Sequence, residues 1–137
     1  DPLEERHTAT YIDDPAWQSS ITKAGAACVE ELAKAPWVPS QWGALLSQSR
    51  TFADRSGMLE EKQRARIFSS VRKEVLLGGW QGEMAVRLCM LGSSVVVLPR
   101  ELTQQHDAEA LKALADRLEQ QGVRCMLTTI APLSPLD

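Results

Sequence analysis

The stretch Val75-Leu-Leu-Gly-Gly-Trp-Gln-Gly-Glu-Met84 decides how the rest of the chain is read. A glycine pair after three apolar residues can close a helix or follow a short strand. Each Gly costs about 1 kcal/mol in a helix interior, so a helix running unbroken through Gly78 and Gly79 is disfavoured. Residues 74–77 are therefore expected to form a strand. Gly78, Gly79 and Gly82 then make the turn that opens a helix over residues 81–91, with Met84, Leu88 and Leu91 aligned and Gly92 as its stop. The run Ser94-Val-Val-Val-Leu-Pro99 follows, and its β-branched centre is what a parallel strand buried on both faces requires.

Downstream, Asp107 can cap a helix over residues 108–121 whose apolar stripe is Leu111, Leu114, Ala115 and Leu118. Gly122 ends it, and residues 123–130 read as a further strand. Strand, helix, strand at this spacing is a βαβ crossover. Upstream, residues 1–13 are polar and aperiodic, a mobile arm. Asp14-Pro15 is a helix start, with Asp as cap and Pro in the first turn. Trp17, Ile21, Ala24, Cys28 and Leu32 then recur at helical spacing until Pro36 and Pro39 stop the helix. A second helix carries Trp42, Leu45, Leu46, Ser49 and Phe52, with Ser40 as a cap and Gly57 as its end. A third begins near Met58, has Glu60 and Glu61 in its first turn, and buries Ile67, Phe68 and Val71.

The expected fold class is thus α/β. A helical part (residues 14–73) packs on a small, mainly parallel Rossmann-like βαβαβ sheet (residues 74–131), and residues 132–137 form a linker-like tail. The whole reads as one domain excised from a longer protein. A purely helical adaptor would require the helix to continue through Val75.

Two families share this pattern. Residues 75–100 resemble the opening of short-chain dehydrogenases, which implies a dinucleotide fold. That family's catalytic Tyr has no counterpart here, the sole tyrosine being Tyr11, far upstream in the arm. The glycines 78, 79 and 82 with Val95-Val-Val-Leu-Pro99 are also similar to the Rossmann-like proteins that include the lysine-decarboxylase-like and DNA-processing A families. Both resemblances cover residues 75 to about 131 and concern the fold, which does not determine function.

Composition narrows the function classes. In 137 residues, 44% are hydrophobic and 24% charged, with a net charge of -3. A mildly acidic chain has no global attraction to nucleic acid, so a nucleic-acid partner is not favoured. No apolar run has the roughly 18 residues of a membrane span. Cys28, Cys89 and Cys125 each sit in an apolar segment without metal-ligand spacing, so they read as core thiols of a reducing, cytoplasmic compartment. A processed secreted or periplasmic domain would present the same N-terminus. No catalytic residue and no metal are assigned; His7 and His106 stand too far apart to pair.

Two kinds of site remain. If the glycine turn opens a helix, Gly78, Gly79 and Gly82 can cradle a phosphate with Arg100 supplying charge, and a nucleotide is the cofactor this would allow. Glu83 at the helix start would oppose it. Alternatively, Trp37 between its prolines, with Arg64, Arg72 and Lys73, forms a surface for a protein partner or a second copy. The leading expectation is a non-catalytic, Rossmann-like interaction or regulatory module. The alternative is a nucleotide- or phosphate-binding domain of an enzyme, with nucleic acid as one substrate class.

Overall fold

The computed structural model describes residues 13–89, 93–102 and 108–129. In order they form α1 (Pro15–Leu32), a 3-10 turn (Pro39–Gln41), α2 (Trp42–Arg55), a second 3-10 turn (Met58–Glu60), α3 (Lys62–Leu77), β1 (Met84–Leu88), β2 (Val95–Pro99) and α4 (Ala108–Gln120). No described helix is long and apolar enough to cross a membrane.

The expected start of α1 is seen, whereas α3 begins at Lys62 and not near Met58, so Glu61 is its cap and Met58–Glu60 form a separate 3-10 turn. Asp14 Oδ1 accepts the Ala16 N–H at 2.9 Å with Pro15 in the first turn. Glu61 caps α3 by accepting from the Gln63 and Arg64 amides. Placing a carboxylate there suits the helix dipole. Ser40 is not the cap of α2; it lies in the preceding 3-10 turn, and α2 starts without a side-chain cap. Gly57 and Gly122 adopt positive φ just past α2 and α4, as helix ends require.

The βαβαβ expectation is overturned. Among the described residues the sheet has two strands, and they are antiparallel, with Val86 opposite Val97 and Leu88 opposite Val95. Residues 74–77 are the last turn of α3, because the buried face Phe68, Val71, Val75 keeps helical spacing through Val75. Glu74 ties that turn to α4 by accepting from Arg117 Nε at 2.8 Å and Gln121 Nε2 at 2.6 Å. Residues 84–88 are a strand and not a helix. Met84 and Leu88 fit a four-residue step, but Val86 between them completes an alternating face, which packs into the core with Val95 and Val97. The link over residues 89–94 is too short for a parallel crossover, so the pair must be antiparallel. Residues 123–129 join no ladder.

A core cluster forms where α3 and α4 cover one sheet face: Phe68, Val71 and Val75 meet Met84, Val86, Ala110, Leu114 and Leu118. On the other face Ala85 is fully buried, and Arg87 reaches α2. Helix α1 lies antiparallel on α2, as Ser20 bonds Ser56 and Cys28 bonds Gln48.

Candidate functional site: an arginine cluster beside the glycine turn

The glycine turn has the opposite polarity from the one expected. Gly79, at φ 76°, follows the last turn of α3; its N–H donates to Leu76 O and the Trp80 N–H to Val75 O, both at 3.0 Å. This paired 5→2 and 6→1 pattern is a Schellman C-cap. A helix C-terminus presents carbonyls and negative potential, so it repels the phosphate that an N-terminus would attract. Gly78 serves packing: a Cβ there would meet the Trp80 ring at 2.3 Å. Gly82 is open, with nothing within 4 Å of an added Cβ and no positive φ.

The three glycines therefore make separable predictions. Gly79→Ala is expected to cost about 1–2 kcal/mol through its left-handed backbone. Gly78→Ala is expected to cost about 1–3 kcal/mol by displacing Trp80. Gly82→Ala is expected to stay within about 0.5 kcal/mol. Urea unfolding of the three variants checks this; equal costs would mean that the turn has another geometry.

What the turn does hold is an arginine. Arg100 Nε donates to Gln81 O at 2.6 Å, and its backbone N–H donates to Glu83 O at 3.1 Å. Arg87, on β1, donates from Nε to Leu46 O at 2.8 Å and from Nη1 to Val86 O at 2.7 Å. Its guanidinium pKa is lowered, first by burial and then by the charges of Arg100, Arg50 and Arg72. Arg50 and Arg72 share the Phe68 ring, 4.7 Å and 5.6 Å from its centroid. Among the described residues one carboxylate, Asp54, pairs with this group, 3.2 Å from Arg50 Nε. Four cations thus gather from α2, α3, β1 and the end of β2 in a chain whose overall charge is negative.

Of the residues singled out in the sequence, Arg72 and Arg100 join this cluster. Lys73 is exposed on α3, and among the described residues no hydrogen bond or ion pair joins it to the cluster. Arg64 is a correction: it is 2% exposed, and its Nη1 donates to Met58 O at 2.8 Å, so it holds the turn before α3 and offers no surface. Trp37 is 63% exposed, and Val38 beside it is also exposed. Arg50 and Arg87 were missed. Arg87 carried a signal, since a lone charge inside Met84-Ala-Val-Arg-Leu88 is conspicuous once that run is read as a strand.

The thiols divide by position. Cys28 is buried as expected, whereas Cys89 is exposed, contrary to the core role expected for it. Burial raises the Cys125 thiol pKa, and Glu119 adds to the effect. A raised thiol pKa means less thiolate at neutral pH, and the thiolate is the nucleophile. Alkylation of Cys125 is therefore expected to lag at pH 7 and to accelerate only above the ordinary thiol range of about 8.5. Site-resolved mass spectrometry of iodoacetamide labelling between pH 6 and 10 checks this; a Cys125 rate already at its plateau at pH 8 would refute it.

His7, Tyr11, His106, Asp107 and Ile130 lie outside the described residues. Among the described residues no group of three or more His, Cys, Asp or Glu is placed to hold a metal. Comparison with known proteins finds no matching family model, no similar curated protein and no similar solved structure.

Proposed function

We propose that this chain is a non-catalytic interaction module that binds an acidic surface of a partner protein through Arg50, Arg72, Arg87 and Arg100. The observation that carries the reading is Arg87. Its guanidinium is half-buried, is held by two carbonyl oxygens, and feels three further arginines. Like charges placed together around a partly desolvated cation oppose folding, and an incoming carboxylate relieves that opposition while gaining charge-assisted hydrogen bonds.

The second reading, a small phosphate-bearing ligand, draws on the same guanidinium forks. A titration with polyglutamate at 20 mM and 300 mM salt, beside a thermal-shift series with nucleoside mono- and triphosphates, separates the two. The expected result is polyglutamate binding that weakens steeply with salt and no shift with nucleotides. A nucleotide shift of the size that saturating ligand confers, about 2.7 kcal/mol at one hundred times its Kd, would overturn the protein-partner reading.

A further inference from the structure

A second feature lies where α3 and α4 floor a groove of about 850 Å³ between residues 93–97 and residues 121–128. The ladder register shows which backbone groups face it. Cys89 N–H donates to Ser94 O and Arg100 N–H to Glu83 O, so the pairs 83/100, 85/98, 87/96 and 89/94 are the hydrogen-bonded ones. The N–H and C=O groups of Val95 and Val97 therefore point away from β1, and among the described residues nothing bonds to them. Pro99, the next outward position, has no N–H, and its carbonyl accepts Trp42 Nε1 at 2.8 Å. The outer edge of β1 differs: Met84 N–H donates to Trp80 O, and Val86 O accepts Arg87 Nη1.

The far wall is residues 123–128, in which Val123 and Cys125 are half-buried while Arg124 and Met126 are exposed. Its floor is apolar, with Ile67, Leu111, Leu114 and Leu118. Among the described residues the lining includes two cations, Arg66 and Arg124, and no acidic side chain.

We propose that this groove binds an extended segment of a partner protein, which adds as a strand to the free edge of β2. Residues 93–97 span roughly 17 Å, enough for about five peptide residues. Val95 and Val97 each offer a donor and an acceptor to such a strand, the bonding pattern of strand addition. Alternate side chains of the peptide then enter the apolar floor, and carboxylates between them meet Arg66 and Arg124. The required partner sequence is thus apolar and acidic in alternation, without proline. The site is separate from the four-arginine cluster and does not depend on it.

The test is an array of capped ten-residue peptides of random order drawn from valine, isoleucine, threonine, aspartate, glutamate, lysine and proline. The bound peptide is then followed by residue-resolved hydrogen exchange in the full chain. Binders are expected to alternate apolar with acidic residues, and to slow exchange at the Val95 and Val97 amides at least ten-fold. Val95→Pro deletes an outward donor and leaves the β1 bonds intact, and it is expected to weaken binding roughly ten-fold. Arg66→Glu with Arg124→Glu is expected to switch the preference from acidic to lysine-bearing peptides. Arg72→Gln with Arg100→Gln is expected to leave the peptide-induced slowing of exchange at Val95 and Val97 unchanged, which distinguishes this site from the cluster. An array without binders, binders rich in proline, or unchanged exchange at Val95 and Val97 would overturn the proposal. So would protection of those amides in the dilute protein alone, or protection that grows with its concentration, since the chain itself or a second copy would then be the occupant.

Discussion

Replacing Phe68 by Ala is expected to lower the unfolding free energy by about 3–5 kcal/mol, the cost of emptying a buried aromatic site. Phe68 is 3% exposed and sits in a core cluster with Val71, Val75, Leu114 and Leu118. Domains of this size have about 5–15 kcal/mol in total, so the variant should be marginal or unfolded at 37 °C. The same ring seats Arg50 and Arg72, so the core and the charged surface meet at this residue. Phe68→Leu separates them. It keeps an apolar side chain and should cost less than about 1.5 kcal/mol for packing. It also removes the π face, and each lost cation contact adds about 0.5–1 kcal/mol. Urea melts of both variants, with polyglutamate binding measured on Phe68→Leu, make the comparison. An Ala variant that loses less than about 1 kcal/mol would show that the core does not close around α3.

The second large effect concerns binding. Arg87→Gln is expected to weaken polyglutamate binding about 10- to 100-fold at low salt, since a hydrogen bond to a charged group contributes about 1.5–3 kcal/mol. The fold should barely register the change. Glutamine can still donate to one of the two carbonyls that Arg87 holds, and the repulsion from Arg50, Arg72 and Arg100 disappears. Unfolding free energy is therefore expected to move by less than about 1 kcal/mol. Moderate salt should stabilise the parent chain more than the variant, because screening acts over about 8 Å at physiological ionic strength and the parent has more repulsion to screen. Binding unchanged in Arg87→Gln, or a salt response identical in the two proteins, would remove the cluster from the proposed function.

The candidate site was half legible in the sequence. Arg72 and Arg100 stood out because they flank the glycine turn, yet the chemistry first attached to them was that of a phosphate loop. That reading depended on the direction of one helix end. Gly78-Gly79 after apolar residues is compatible with a turn entering a helix or leaving one, and only the bonds from Gly79 and Trp80 back to Leu76 and Val75 show which occurs. Arg64 was misplaced because an arginine in a mixed-charge helix looks solvated, whereas here it reaches a backbone carbonyl in the preceding turn.

What the sequence determined by itself was local. Asp14-Pro15, Gly57 and Gly122 mark helix ends through cap chemistry that needs no distant partner. The helix faces around Ala24, Leu46, Phe68 and Leu114 follow from spacing alone, and so does the strand over Val95–Pro99. The tertiary structure decided the rest. Residues 75–77 and 84–88 are short apolar runs that fit helical and strand periods equally well. Their state is settled by what lies against them: α4 holding Glu74 within the last turn of α3, and β2 pairing with β1. The arginine cluster joins four elements, and the free edge of β2 depends on ladder register. Neither is written in any local window, because each arises from contacts between residues far apart in the chain.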